Sequence, residues 1–348
     1  MIDKRNINIL FVHYLERVGG GERYLINVIT SLPKNYNIFL LTPNSNCELE
    51  AYISKPIQKI SKKFIRNLGP FPSFSLTLFT TVYGLIKNEK IDVIHLNDHY
   101  LLPSFVFFRL KVIFTSHGMW DVYFIINKMI LKTINPITIA STPIQYSRLK
   151  HLVDDLHLLP FFNSHTVEYK RKTIGDIVNI GIVGRFSPVK NHQLAFSVSS
   201  CPDCLLHVYG EKTLSLKEES DSYEASLLNM MNANKSIVYH GFEADLENIY
   251  KNIDILIITS KTESFSLVNI EAYSYGVPVL STMTEGSSSL IIDGYNGFIC
   301  SNKEDFCEKI KIICNNYASF SKNAYKSSLK HTKDGYMKGL LPLYEKIL

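Results

Sequence analysis

The sequence predicts an α/β protein made of two doubly wound parallel-sheet domains. Short apolar runs alternate with helical stretches along the whole chain, which is the pattern of strands joined by helical crossovers. The 348 residues are too many for one compact core and suit two. The same opening unit, an apolar strand followed by a glycine-bearing loop and a helix, starts the chain at Asn8 and recurs at Val178.

In the first domain, expected over residues 1–165, Asn8–His13 reads as a buried strand. Gly19, Gly20, Gly21 and Glu22 follow, then a helix with Leu25, Val28, Ile29 and Leu32 on one face. Glycines here let backbone approach a ligand closely, and they equally fit a plain tight turn. Further strands are expected at Asn37–Leu41, Asp92–Leu96, Lys111–Thr115, Thr138–Ala140 and Leu156–Leu159. Ligands of parallel sheets gather at the carboxyl ends of strands, where His13, His95 and His117 fall. His95 and His99 are four apart, but His95 belongs to a strand, so the spacing does not bring two metal ligands together. From Lys55 to Leu68 a helical wheel puts Lys55, Lys59, Lys62, Lys63 and Arg66 on one side and Ile57, Ile60, Phe64 and Leu68 on the other. Such a helix either packs on the sheet with a solvated face or docks on an anionic membrane surface.

The polar stretch Asn163–Asp176 is the expected linker, and 175–329 the second domain. Its first strand, Val178–Val183, leads through Gly184 and Arg185 to Lys190 at the next helix. Two cations five positions apart across a strand-to-helix loop can converge on one diphosphate, and they can equally be solvated surface charges. Strands Leu205–Tyr209 and Ile237–Tyr239 follow, the latter ending at His240, Gly241 and Phe242. The strand Ile253–Thr259 then runs into ESFSLVNIE. Here Glu263 and Glu271 bracket a strand-to-helix turn whose free amides, from Ser264 through Phe265, Ser266 and Leu267 to Val268, attract phosphate. An anion-binding helix start between carboxylates suits a nucleoside diphosphate sugar. The last helical stretch, about 330–348, is expected to cross back onto the first domain.

Composition excludes several classes. Hydrophobic content of 46% with 20% charged residues describes a globular chain. A formal charge of +5 is compatible with anionic ligands and far from a nucleic-acid-binding signature. The start lacks the apolar core of a signal peptide, so a cytoplasmic location and six reduced cysteines are expected. Cys201 and Cys204 form a CxxC without a second ligand pair, a weak zinc signal. No Asp-x-Asp occurs, which argues against a metal-dependent sugar transferase; no cofactor or metal is expected.

GRFSPVKN, the HGF turn, ESFSLVNIEAYSYGVPVLS and IIDGYNGFI, in that order, resemble the retaining GT-B glycosyltransferases of family 4; the GGGE loop and SHG fit the same pattern. The resemblance implies two Rossmann-like domains facing a cleft, with a nucleotide-sugar donor, UDP-sugar favoured and GDP-sugar next, held mainly by the second. It implies a glycan or lipid-linked acceptor held mainly by the first, in surface polysaccharide or lipopolysaccharide synthesis. By resemblance Arg185 and Lys190 bind the diphosphate, Glu263 and His117 contact the sugar, and Glu271 binds the ribose. The amides of Phe265–Val268 hold phosphate and sugar, Gly241 and Phe242 lie near the base, and Gly20 and Gly21 line the cleft. Ser264 and Ser266 stand where the family often has glycine, and Ser289 where it often has glutamate. A nucleotide-sugar epimerase or hydrolase shares the implied fold, and a non-catalytic nucleotide-sugar-binding subunit is a third reading. A dehydrogenase fits poorly because no GxGxxG follows either opening strand.

Overall fold

The computed structural model describes residues 5–14, 19–43, 48–65, 67–68, 71–108, 111–118, 125–165, 167–170, 173–210 and 218–348. They form two compact units, Met1–Ser164 with Lys333–Leu348, and His165–Thr332.

The first unit runs β1 (Ile7–Val12), α1 (Gly20–Ser31), β2 (Tyr36–Thr42), β3 (Ile57–Ser61), the two-residue hairpin β4 (Asn67–Leu68) and β5 (Phe71–Pro72), α2 (Leu76–Asn88) and β6 (Val93–Leu96). After a 3-10 turn, His99–Phe105, come β7 (Val112–Ser116), α3 (Ile125–Ile134), β8 (Ile137–Ala140), α4 (Pro143–Leu149) and β9 (Leu156–Leu158). Seven strands form one sheet in the order β3-β2-β1-β6-β7-β8-β9, all pairs parallel. The order reverses between β1 and β6, so the loops after these strands part and leave a crevice at their carboxyl ends.

The Lys55–Leu68 expectation is corrected here. Ile57–Ser61 is the edge strand β3, in register with β2 from Ile38↔Ile57 to Thr42↔Ser61. Ile57, Ile60 and Phe64 mimic a helical stripe, but β-branched residues bordering a sheet edge gain more from pairing with β2. The helical wheel that put the cations on one side therefore does not apply. Lys55 precedes the strand and donates to the Leu32 carbonyl at the end of α1. Burial, reinforced by Lys333, lowers its pKa. Lys62 and Lys63 lie beyond the strand, and Arg66 is outside the described residues.

The C-terminal helix α12 (Lys333–Glu345) belongs to this unit and is tied to it by a buried chain of hydroxyls. Tyr336 Oη lies 2.5 Å from Tyr24 Oη, which lies 3.1 Å from Thr115 Oγ1. His95 bridges the rest, Nε2 at 2.8 Å from Thr115 Oγ1 and Nδ1 at 2.7 Å from Tyr344 Oη. A neutral imidazole suits this, one nitrogen donating and the other accepting. Burial, with a smaller contribution from the charge of His117, holds the His95 pKa down at about 3. Its unfolded value is about 6.5, so between these limits the unfolded chain binds the proton that the folded one refuses. The first unit is therefore expected to lose stability as pH falls from about 6.5 toward 3. His95→Gln, which keeps a donor and an acceptor but does not titrate, should flatten that part of a melting-temperature profile. An unchanged slope in the variant would contradict this assignment.

The second unit runs β10 (Val178–Val183), α5 (His192–Val198), β11 (Cys204–Tyr209), α6 (Glu218–Ala233), β12 (Ile237–Gly241), α7 (Leu246–Lys251) and β13 (Ile255–Ile258). Then come α8 (Leu267–Ser274), β14 (Val279–Ser281), α9 (Glu285–Leu290), β15 (Gly297–Ile299), α10 (Lys303–Asn315) and α11 (Tyr317–Ser328). Its six strands are parallel in the order β12-β11-β10-β13-β14-β15, and the order reverses between β10 and β13. Cys201 is joined to Cys307 of α10 by a disulfide with Cα atoms 5.5 Å apart, which corrects the expectation of six reduced thiols. The pair is 106 residues apart in sequence and becomes adjacent only when α10 packs beside α5. Cys204 stays a separate buried thiol, its pKa pushed up to about 11 by burial, so the CxxC is not a redox or zinc pair. No group of three potential metal ligands exists among the described residues.

Candidate active site

The reversal between β10 and β13 in the second unit collects most of the residues singled out in the sequence. Beyond β10 the chain passes Gly184, whose amide donates to the Tyr209 carbonyl at 2.9 Å. It passes so close to Gly210 that a Cβ there would stand 2.0 Å from the Gly184 oxygen. Gly210 in turn donates to the Gly241 carbonyl at 2.8 Å, so three glycines line the carboxyl ends of β10, β11 and β12. Backbone is thereby bared over these three strand ends, with exposed Phe242 next along the chain.

Arg185 leaves Gly184 for solvent and makes no ion pair or hydrogen bond among the described residues. Lys190 turns back: its stem lies over Gly184, and its ammonium donates to Glu263 Oε2 at 2.7 Å. Glu263 also accepts from Ser260 Oγ at 3.2 Å. The backbones are zipped beside this pair, with Thr259 Oγ1 donating to the Lys190 carbonyl at 2.9 Å and Lys261 N to the Val189 carbonyl at 2.8 Å. The helix expected to open at Lys190 starts at His192, because Asn191 takes a left-handed conformation, φ 51°. That break frees the Lys190 side chain to face the loop after β13.

Helix α8 opens at Leu267, with Ser266 as its N-cap residue making no side-chain cap bond. The Ser266 hydroxyl is buried without a partner among the described residues. The first-turn amides of α8 are thus not occupied by their own cap, the condition for holding an anion. Helix α9 clamps this loop: Gly286 N donates to the Glu263 carbonyl at 2.7 Å, and a Cβ on Gly286 would meet Ser266 N at 3.0 Å. Glu271 lies just over one turn into α8. It is buried, with Oε2 3.1 Å from the Tyr250 hydroxyl. Ser289, at the position where glutamate is common, bonds its own helix through the Glu285 carbonyl at 2.9 Å. Sequence reasoning missed Ser260, Tyr250 and Gly286; only Gly286, in EGSSS, carried a signal, a glycine at a helix start.

In the first unit Gly20 and Gly21 open α1, and a Cβ on Gly21 would stand 3.7 Å from His117 Nδ1. His117 is held edge-on to Tyr24, ring centroids 5.3 Å apart, and against Phe161. Glu22 folds back so that Gly19 N donates to its Oε2 at 2.8 Å. A carboxylate therefore already serves the α1 terminus, which makes this loop a poorer phosphate site than α8. His95 is buried inside β6 and spent on the hydroxyl chain, and His13 is buried at the end of β1.

Family models match both units: "Glycosyl transferases group 1" over residues 172–327 and "Glycosyltransferase Family 4" over 18–151. The chain is a family 4, group 1 glycosyltransferase. A Klebsiella pneumoniae protein described as an uncharacterized 41.2 kDa protein in the cps region is 25% identical over 87% of this chain and 88% of its own length. The Escherichia coli O-antigen biosynthesis glycosyltransferase WbnH is 21% identical over 94% of this chain and 96% of its own. Among solved structures, Anabaena HepE in complex with UDP and glucose superposes with a TM-score of 0.78. It is 17% identical, covering 97% of this chain and 99% of HepE. That likeness, with the two parallel sheets, shows the GT-B fold.

Proposed function

We propose that this glycosyltransferase moves a sugar from a nucleoside diphosphate sugar, UDP-sugar favoured over GDP-sugar, to a hydroxyl of a glycan or lipid-linked acceptor. Transfer proceeds with retention and without a metal, in the synthesis of a bacterial surface polysaccharide or lipopolysaccharide. The observation that carries the donor reading is the meeting of Lys190, Glu263 and the uncapped start of α8 at one strand-order reversal, with Arg185, unpaired among the described residues, on the same loop as Lys190. Arg185, Lys190 and the α8 amides bind the diphosphate, Glu263 faces the sugar, and Glu271 with Tyr250 takes the ribose hydroxyls. Gly184, Gly241 and Phe242 border the nucleoside, and His117, held beside Gly21, contacts the transferred sugar. HepE was crystallised with UDP and glucose, and relatives are described by a cps region and by O-antigen biosynthesis; both support the donor and acceptor classes chosen.

In the reaction the bond between the anomeric carbon and the β-phosphate oxygen breaks while the acceptor oxygen bonds that carbon from the same face. The acceptor proton passes to the departing diphosphate, whose growing charge meets cations already in place. Because Arg185 and Lys190 supply this charge, transfer is expected to continue unchanged in EDTA; loss of activity restored by Mg²⁺ or Mn²⁺ would contradict that. A thermal-shift panel of UDP-, GDP- and ADP-sugars identifies the donor, and proton NMR of the product reports its anomeric configuration. An inverted product, or sugar release equally fast without acceptor, would overturn the reading.

A further inference from the structure

Elements α2, the 3-10 turn and α3 cover one face of the first unit's sheet, where Leu78, Phe105 and Leu131 enter a common core with Leu10 and Ile94. Their outward sides are apolar as well. On α2, Leu76, Thr80, Tyr83 and Lys87 fall at helical spacing on one stripe; Leu76 is 67% exposed, and the Lys87 ammonium stands 4.5 Å over the Tyr83 ring. Phe107, just past the 3-10 turn and 72% exposed, lies 5.9 Å from Phe74 and 6.2 Å from Phe79 by ring centroids. Phe79 in turn stacks on Tyr83, so the aromatic patch is continuous. Helix α3 packs against the same turn and exposes Ile125 (76%), Ile126 and Met129 (63%), with exposed Lys128 and Lys132 on the same side.

No Asp or Glu occurs at residues 62–88, 99–118 or 125–134. The flanking carboxylates are Glu89, at the end of α2, Asp98, which caps the 3-10 turn by accepting from Tyr100 N at 2.9 Å, and, in sequence, Asp121 four residues before α3. From this combination of exposed large apolar side chains with exposed Lys87, Lys128 and Lys132 among them we infer that the α2–α3 face docks on an anionic lipid bilayer. Phe107, Ile125 and Met129 reach the acyl boundary, and Lys87, Lys128 and Lys132 meet lipid phosphates. A second copy of the chain fits worse, because a two-fold contact would set this lysine rim against itself. No helix among the described residues is long and apolar enough to cross a membrane. This face replaces the Lys55–Arg66 segment as the membrane surface and involves no donor-site residue.

Co-sedimentation of the full chain with vesicles tests it, using phosphatidylcholine alone or mixed with phosphatidylglycerol. Binding to the mixed vesicles is expected, weakening as salt rises. Phe107→Ser with Ile125→Ser and Met129→Ser should lower the partition coefficient about tenfold or more. Lys87→Gln with Lys128→Gln and Lys132→Gln should abolish the preference for phosphatidylglycerol. All six side chains are exposed, so wild-type melting is expected; Phe107→Ser alone serves where the triple variant melts early. Equal binding by wild type and variants, or no binding by the wild type, overturns the inference. So does a vesicle-free dimer that the apolar substitutions dissociate.

Discussion

Lys190→Ala is expected to lower kcat by about 10²–10³-fold, the usual cost of removing one preorganised charge from a developing anion. The side chain sits where truncation removes charge without moving the loop. Its carbonyl is fixed by Thr259 Oγ1 at 2.9 Å, and the next turn is held by Lys261 N on the Val189 carbonyl. In the unliganded arrangement the ammonium is 2.7 Å from Glu263 Oε2, with 30% and 16% of the two side chains exposed. A pair so placed contributes little to folding, on the order of 1 kcal/mol, so the variant should melt near wild type. The loss should appear in kcat more than in KM, because charge on the diphosphate grows on the way to the transition state. Arg185→Ala should act in the same direction, and the two together should cost less than the sum, since both serve one charge. Steady-state rates with saturating donor decide it; turnover within about threefold of wild type would remove Lys190 from this role.

His95→Leu is expected to destabilise the first unit by about 2–4 kcal/mol, since the buried Tyr344 hydroxyl would lose its His95 partner and Thr115 would keep only Tyr24. Tyr344 and Tyr336 are two turns apart on α12 and dock one face of that helix through the same chain of bonds, so the C-terminal helix should loosen first. Limited proteolysis would report early cleavage within 333–345, and denaturant unfolding the free energy. Adding Tyr344→Phe removes one stranded hydroxyl, so the double variant should be less destabilised than the two single losses summed. Strict additivity would show that His95 and Tyr344 are not coupled. The substitution should leave donor binding by the second unit unchanged.

The strand pattern was legible because parallel strands buried on both faces are short continuous apolar runs, and Ile9, Ile94, Ile113, Ile180, Ile255 and Val279 all sit in the cores. The exception, β3, is an edge strand, where one side pairs with β2 and the other faces solvent, so its residues are mixed and carry a spurious helical period. At the site, sequence order sufficed to place Arg185, Lys190 and Glu263 near one another, because loops after neighbouring strands of a doubly wound sheet share an end. It did not reveal that Lys190 and Glu263 bond each other, or that Tyr250 meets Glu271, since those contacts depend on how α5 and α7 are set on the sheet. The Cys201–Cys307 bridge was hidden for the same reason. His95 and His117 looked alike as strand-end histidines, and only burial separates them: one is consumed by Thr115 and Tyr344, the other borders Gly21.

A crystal structure of the protein soaked with UDP is the most direct measurement. The account predicts the diphosphate against the first-turn amides of α8, within hydrogen-bond distance of Lys190 Nζ and the Arg185 guanidinium, with the ribose hydroxyls on Glu271. A diphosphate seated at the Gly19–Gly21 loop of the first unit, or UDP bound away from Lys190 and α8, would contradict it.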